Sequence, residues 1–221
     1  MTVAVGWCDG GTTRGEFTEA VTQLCAYETH QGRLAAIVRV QSGPLLAEGR
    51  NILVSKFLRT DAEWLLMVDS DMTFTHDSVE RLLATADVEG THLVGGLCYG
   101  VSRELGQFPT MYRRVDGMPT VVDVPAERGV VQVDATGAAF TLTHRDVFEA
   151  YRRDEYHPWF HYRFVPTNGT HPGGWLGEDI SWHWWLRDKG VPILVDTTVE
   201  AGHIKPTTVN SQSYAVAHAT H

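Results

Sequence analysis

No stretch of this 221-residue chain comes near the roughly 20 consecutive apolar residues that a membrane-spanning helix requires, so membrane insertion is not expected. The first residues, MTVAVGWCDGG, lack a basic segment and a long apolar run, so a secretory leader is not expected either. Cysteine is scarce: Cys8, Cys25 and Cys98 form an odd set with no C-x-x-C spacing. That argues against a disulfide framework or a zinc knuckle and for buried apolar thiols in a reducing cytoplasm. Basic charge is short as well, with 18 Lys and Arg against 27 Asp and Glu and a net charge of −9. The balance disfavours a protein that coats phosphate backbones, although it leaves room for a local basic groove. Repeats, low-complexity tracts and linkers are absent, so a single domain is expected over 1–221, in two halves near 1–100 and 101–206 with a loose polar tail at 207–221.

What is present is an ordinary globular composition, 43% hydrophobic and 20% charged, in a chain long enough for a sizeable core. TVAVGW reads as a short buried strand ending at Gly6, before the turn CDGGTTRG. Phe17, Val21, Leu24 and Cys25 recur at helical spacing, GRLAAIVRV supplies a second strand, and Pro44 opens a second helix over LLAEGRNILVSKFLRT. WLLMV, nearly all apolar, is a third strand covered on both faces. Thr75 is placed as the N-cap of the next helix, with Asp77 and Glu80 in its first turns, and THLVGG is a fourth strand. This alternation predicts an α/β fold, a Rossmann-like, mainly parallel sheet with helices on both faces.

The second half alternates instead. FPTMYRRVDGMPTVVDVP and GVVQVDATGAAFTLT both read as hairpins, making a smaller antiparallel and loop-rich region. HRDVFEAYRR is a short helix, LGEDISWHWWLRDKG a longer one closed by Gly190, and VPILVD the last strand. Trp182, Trp184 and Trp185 are spread around their helix and read as core. His157 and His161 are four apart, but Pro158 argues against a helical zinc pair.

The chemistry centres on VDSDMT. Asp69 and Asp71 follow a buried strand, one residue apart, where ligands of parallel sheets gather beyond the carboxyl ends of the strands. Three readings are open: the pair holds a cation, one member is a nucleophile, or both merely end a strand and cap a helix. DSDMT fits the D-x-D-x-[TV] pattern of haloacid-dehalogenase-type phosphatases literally, which would make Thr73 part of that signature. That pattern normally ends the first strand, whereas two strands precede it here, and Lys189 and Lys205 both follow GED instead of preceding it.

The order of strand, CDGG turn, helix, strand, EGRN helix, strand and DSD resembles the nucleotide-sugar glycosyltransferases of GT-A fold, of the family-2-like kind with D-x-D, GED and Gly-His motifs. VDATGAAFTLTHRDVF is similar to that family's Gly-containing segment near the donor sugar, represented here by Gly137. GGWLGEDISWHWWLRDKG resembles its GED helix, and VPILVDTTVEAGH its last strand leading to a Gly-His metal ligand. The resemblance runs over about residues 3 to 206, with a nucleotide-binding first half and a second half for donor sugar and acceptor.

What the resemblance implies is a transfer of sugar from a nucleoside-diphosphate sugar, UDP above all, to an acceptor hydroxyl on a glycan, a protein or a hydroxymethylated DNA base. Asp71 would bind the divalent cation, Asp69 would touch the ribose or reach the metal through water, and His203 would complete the ligand set. Carboxylates, an imidazole and diphosphate oxygens suit Mn²⁺ or Mg²⁺. Lys205 would add charge against the phosphates, while Trp7, Asp9, Gly10 and Arg50 would hold the nucleotide. Asp179 is the expected general base, with Glu178 binding acceptor or capping the helix, and inversion at the anomeric carbon follows. Arg50 also reads as a solvated helix arginine, and Asn51 in mid-helix hints at a separate purpose. YRRDEYHPWFHYRF interleaves arginines with aromatics and is the candidate acceptor contact. Two rivals stand beside this reading: the phosphatase, and a nucleotide-sugar binder without catalysis.

Overall fold

The computed structural model describes residues 1–102, 104–156, 158–167, 171 and 173–206. The expected loose tail at 207–221 and the histidine at 157 lie outside the described residues. The first half runs β1 (Val3–Asp9), α1 (Gly15–His30), β2 (Leu34–Gln41), α2 (Leu46–Phe57), β3 (Trp64–Val68), β4 (Met72–Thr73), α3 (Ser78–Glu89) and β5 (Leu93–Ser102). The second half begins with β6 (Gly106–Pro109), β7 (Met111–Val115), β8 (Met118–Val121), β9 (Val130–Val133), β10 (Ala135–Thr136), β11 (Phe140–His144) and α4 (Arg145–Ala150). It ends with β12 (Arg163–Val165), β13 (Gly174–Leu176), α5 (Glu178–Asp188) and β14 (Ile193–His203).

The main sheet has the order β2-β1-β3-β11-β5-β14-β4, with β6 added on β5 and β9 on β14. β1 is parallel to β2 and to β3, and β14 is parallel to β5, whereas β11 lies antiparallel between β3 and β5. Strands β1, β2, β3, β5 and β14 therefore share one direction, the mainly parallel frame that the sequence led us to expect. Their carboxyl ends open on one edge.

The core explains why β3 is apolar throughout. Leu65 and Met67 pack with Leu53, Val54 and Phe57 of α2 and with Trp182 and Leu186 of α5. Leu66 and Val68 face the other way, onto Phe17 and Leu24 of α1 and Val79 and Leu82 of α3. Side chains alternate across a strand, so a sheet with helices on both faces needs apolar residues at every position. Each such side chain contributes roughly 1.5–3 kcal/mol on full burial.

Several local expectations change. β1 does not stop at Gly6 but pairs with β2 as far as Asp9 opposite Gln41, which carries Trp7, Cys8 and Asp9 into the sheet. α2 starts at Leu46, two residues after Pro44. Thr75 is not the N-cap of α3: that position is Asp77, and the Thr75 hydroxyl donates to the Asp77 carboxylate at 2.6 Å. The Asp-Gly signal of the first hairpin is met, with Asp116 at φ 50° and Gly117 at φ 84° between β7 and β8, as a type I′ turn requires. The second hairpin does not form, because β9 pairs with β14, β10 with β7, and β11 with β3 and β5. Alternation marks a strand without naming its partner.

Candidate active site

Past Val68 the chain turns sharply: Asp69 N donates to Ala139 O (2.9 Å) and Met72 N to Asp69 O (3.2 Å). The two residues of β4 then pair with the end of β14, Thr73 opposite Gly202 and Met72 opposite His203, and Ile204 N donates to Asp71 O at 2.8 Å. This pairing carries His203 to Asp71. Its Nε2–H lies 3.0 Å from Asp71 Oδ2, while its Nδ1–H donates to Tyr99 O at 3.0 Å. Lys205 Nζ approaches the same Asp71 oxygen at 3.5 Å. The hydrogen bond to Asp71 raises the His203 pKa above its ordinary 6.5. Burial raises that of Asp71, but the hydrogen bond and charge of His203 outweigh it and leave the carboxyl below its usual range.

Asp69 faces elsewhere. Its Oδ1 accepts from Arg50 Nη2 at 2.8 Å, and Arg50 Nη1 donates to Glu178 Oε1. Arg50 is 2% exposed, so the solvated reading fails: a helix position said nothing of the two carboxylates waiting in the fold. Burial alone would lower its pKa, but Asp69 and Glu178 reverse the effect and keep it charged. Glu178 is pushed up, first by burial and with Arg50 opposing. Asn51 has the purpose its position hinted at. Its Nδ2 donates to Phe160 O (2.8 Å) and its Oδ1 accepts from Trp159 N (3.2 Å) and Phe160 N (3.0 Å), pinning the arginine and aromatic loop to α2.

At the N-terminus of α5, Asp179 accepts from Ile180 N through Oδ1 (2.7 Å) and from Ala138 N through Oδ2 (3.4 Å). Gly137, next to Ala138, donates its N–H to Thr110 O at 3.2 Å, so the Gly137 segment and the GED helix meet. Asp9 sits deeper than its neighbours. Arg39 grips it through two bonds of 2.6 and 2.8 Å, and Trp7 Nε1 (3.0 Å) and Gly11 N (2.8 Å) donate to it as well. The Arg39 hydrogen bond holds its pKa down to about 2. Gly10 is exposed beside it.

A cavity of about 590 Å³ opens over this ground, lined by Asp69, Ser70, Asp71, His203 and Lys205 on one side and Cys8, Thr12, Thr13, Arg14 and Leu46 on the other. Trp7, Asp9, Gly10, Gly137 and the Glu178–Asp179 pair are not among its lining residues. Thr12, Thr13, Arg14 and Arg39 escaped the sequence reading. The one signal available was that TTR directly precedes a helix, where phosphate-binding donors gather. Burial pushes the Cys8 thiol up to about 11, which leaves it protonated and unsuited as a nucleophile. A larger cavity, about 690 Å³, lies along α2 and the 152–162 loop, lined among others by Glu48, Ile52, Arg152, Tyr156 and Tyr162. It is the larger of the two, but the convergent carboxylates, imidazole and cations are in the smaller one. Tyr162, on the wall of the larger cavity, has its pKa raised by burial and by Glu178 nearby. Arg153 is turned inward, bonded to His161 and to Ser181 and lying over Trp185.

No protein-family model and no curated protein matches this chain. Solved structures do. The crystal structure of A197 from STIV superposes with a TM-score of 0.56 at 19% identity, covering 93% of this chain and 87% of that one. A crystal structure of GalNAc-T7 with UDP, GalNAc and Mn²⁺ superposes with a TM-score of 0.59 at 12% identity. It covers 92% of this chain, which spans 44% of the other. At these identities the likeness is one of fold, and the fold is the mixed α/β arrangement of GT-A type that the order of motifs suggested. Among the described residues no helix is long and apolar enough to cross a membrane.

Proposed function

We propose that this chain is a metal-dependent glycosyltransferase that moves a sugar from a nucleoside-diphosphate sugar, best a UDP-sugar, to an acceptor hydroxyl. The observation that carries the reading is the pairing of Asp71 with His203 at the carboxyl-end edge of a GT-A sheet, with Lys205 and Arg14 facing the same cavity. A solved fold neighbour with UDP, GalNAc and Mn²⁺ adds support.

The donor chemistry fits a divalent ion. The Tyr99 carbonyl holds a proton on His203 Nδ1, so Nε2 is the nitrogen that would turn its lone pair to the ion once it gives up the proton it now shares with Asp71. Asp71 and His203 would hold Mn²⁺ or Mg²⁺ together with diphosphate oxygens, and Asp69, tied to Arg50, would act through water or on the ribose. The bound cation would offset the negative charge that grows on the departing nucleoside diphosphate. Arg14 and Lys205 would grip the phosphates, and Trp7, Asp9 and Gly10 would border the nucleotide.

Asp179 would take the acceptor proton. Glu178 is held by Arg50, whereas among the described residues Asp179 is bonded to backbone N–H groups at 2.7 and 3.4 Å and is the freer carboxylate. Glu178 then keeps Arg50 in place below the cavity. A single base of this kind implies inversion. Exposed aromatic faces at Tyr156, Tyr162 and Trp175 suit a sugar ring of the acceptor, be it a glycan or a glycosylated protein. The net charge of −9 argues against modified DNA. The free thiols accord with a cytoplasmic setting.

The phosphatase alternative is the weaker, since the Asp69 carboxylate is held by Arg50 and its strand is not the first of the sheet. Release of nucleoside diphosphate from a panel of nucleotide sugars with Mn²⁺ tests the proposal. Turnover with at least one donor, lost in Asp71→Asn, is expected. Binding without turnover on any acceptor would leave the non-catalytic alternative, and release of phosphate from phosphomonoesters would favour the phosphatase.

A further inference from the structure

At the opposite end of β3 from Asp69, three side chains that serve no part of the proposed reaction converge. His92 lies in the α3–β5 loop, His144 is the last residue of β11, and Asp146 sits in the first turn of α4. One ligand atom from each falls within 4.8 Å of the other two. β3 is five residues long, so at about 3.3 Å per residue the cluster stands roughly 15 Å from the candidate active site.

The backbone beneath the cluster is fixed. His144 N donates to His92 O at 2.8 Å, Thr143 pairs with Leu93, and His144 pairs with Trp64. The two imidazoles lie 4.8 Å apart, centroid to centroid, and tilted by 37°. Trp64, only 6% exposed, makes their floor: its indole meets His144 edge-on at 4.9 Å and His92 at 6.3 Å. Asp146 brings its Oδ2 to 3.4 Å from His144 Nδ1, and its own N–H is capped by that nitrogen at 3.3 Å. Arg145, between two of the three in sequence, turns away. Its guanidinium donates to the carbonyls of Leu58 and Thr60 and lies over Phe57, so most of its charge is engaged away from the cluster, although it still acts on His144 and opposes a cation there weakly.

We propose that His92, His144 and Asp146 form a Zn²⁺ site that clamps the start of β5 and the end of β11 to α4. Two imidazoles and one carboxylate are a borderline-soft set, suited to zinc. The candidate active site is harder, with one imidazole among oxygens, and the two sites would therefore sort different metals. Bonds of about 2.0–2.1 Å place tetrahedral ligand atoms about 3.3 Å apart, closer than the spread seen here. His92 and Asp146 are exposed and free to close that gap by side-chain rotation over the fixed backbone, the ion displacing the weak 3.3 Å cap. A cavity of about 300 Å³, lined by Thr91, His92, Asp146 and Tyr151 among others, lies beside the cluster and would admit a water as fourth ligand.

The test is equilibrium dialysis of ZnCl₂ against the untagged, chelator-stripped full chain carrying His203→Ala, so that the candidate active site does not contribute. Thermal melting is recorded on the same samples. One equivalent of Zn²⁺ and a raised midpoint are expected. His92→Ala and Asp146→Asn, both at exposed positions, should each lose that equivalent or weaken it more than tenfold, because even outer partners of zinc ligands are worth about 10–100-fold in affinity. Failure of the parent to bind Zn²⁺, or equal binding by both variants, would overturn the proposal.

Discussion

Arg50 Nη1 donates to Glu178 Oε1 across 128 residues of sequence, joining the middle of α2 to the first turn of α5. The same guanidinium holds Asp69 at the end of β3, so one buried cation ties three elements together below the cavity. Its role is to fix where the carboxylates point.

Removing that cation leaves two carboxylates without their partner. Arg50→Met is expected to lower unfolding stability by about 3–5 kcal/mol, the usual cost of breaking a buried pair from one side. Arg50→Met with Glu178→Gln should recover part of the loss, because the stranded charge is gone. Urea denaturation of the single and double variants measures both. A double variant no more stable than Arg50→Met would contradict the coupling.

The Asp71–His203 pairing rests on the short contact of β4 with β14, and Gly202 is the tight point. A Cβ there would stand 2.6 Å from Thr73 Oγ1. Overpacking of this kind costs about 1–3 kcal/mol, and it is relieved either by turning the Thr73 hydroxyl away from Gly202 O or by moving β14 off β4. Gly202→Ala is therefore expected to weaken Mn²⁺-dependent UDP binding roughly tenfold, about 1.4 kcal/mol, in a folded chain. Adding Thr73→Ala removes the obstructing hydroxyl and should restore binding. If the double variant stayed as weak as the single, register at this point would not be what positions His203.

The site should also report on pH. His203 is raised above 6.5 by its bond to Asp71, so in the metal-free chain this pair stabilises fully below 6.5 and loses its contribution as pH rises through the raised value. Metal binding has the opposite slope, since the ion must displace the proton on Nε2. Affinity for Mn²⁺ should fall by about tenfold per pH unit below the raised pKa and level off above it. Calorimetric titrations from pH 5.5 to 8 should show this slope in the parent, and His203→Gln should flatten it. The same slope in both chains would remove His203 from the ligand set.

Much of this was legible in the residues. WLLMV had to be covered on both faces, and the core on each side of Leu65 and Leu66 shows why. Asp116-Gly117 named its own turn, because left-handed backbone at both positions restricts the choice of residue. Partners distant in sequence were not legible. Arg50 was expected at the nucleotide, with a solvated helix arginine as the plain alternative, and neither reading named Asp69 and Glu178 as its partners; Thr73, set aside with the phosphatase pattern, belongs to the strand that seats His203. Strand alternation in GVVQVDATGAAFTLT could not say that β9 goes to β14 and β11 between β3 and β5. Thr12, Thr13 and Arg14 lie in an exposed turn with no period to read, and only the closed fold turns them toward the carboxylates.

The central claim, a metal-dependent nucleotide site at Asp71 and His203, is tested most directly by thermal unfolding with UDP and Mn²⁺, each alone and together. At about 100 times its Kd a ligand stabilises by about 2.7 kcal/mol, which for a chain of this size is about 5–10 °C in Tm. The account predicts such a rise only when UDP and Mn²⁺ are both present, and its loss in Asp71→Asn. No response to UDP, UDP-sugars or any other nucleoside diphosphate with Mn²⁺, or a response that survives Asp71→Asn, would contradict it.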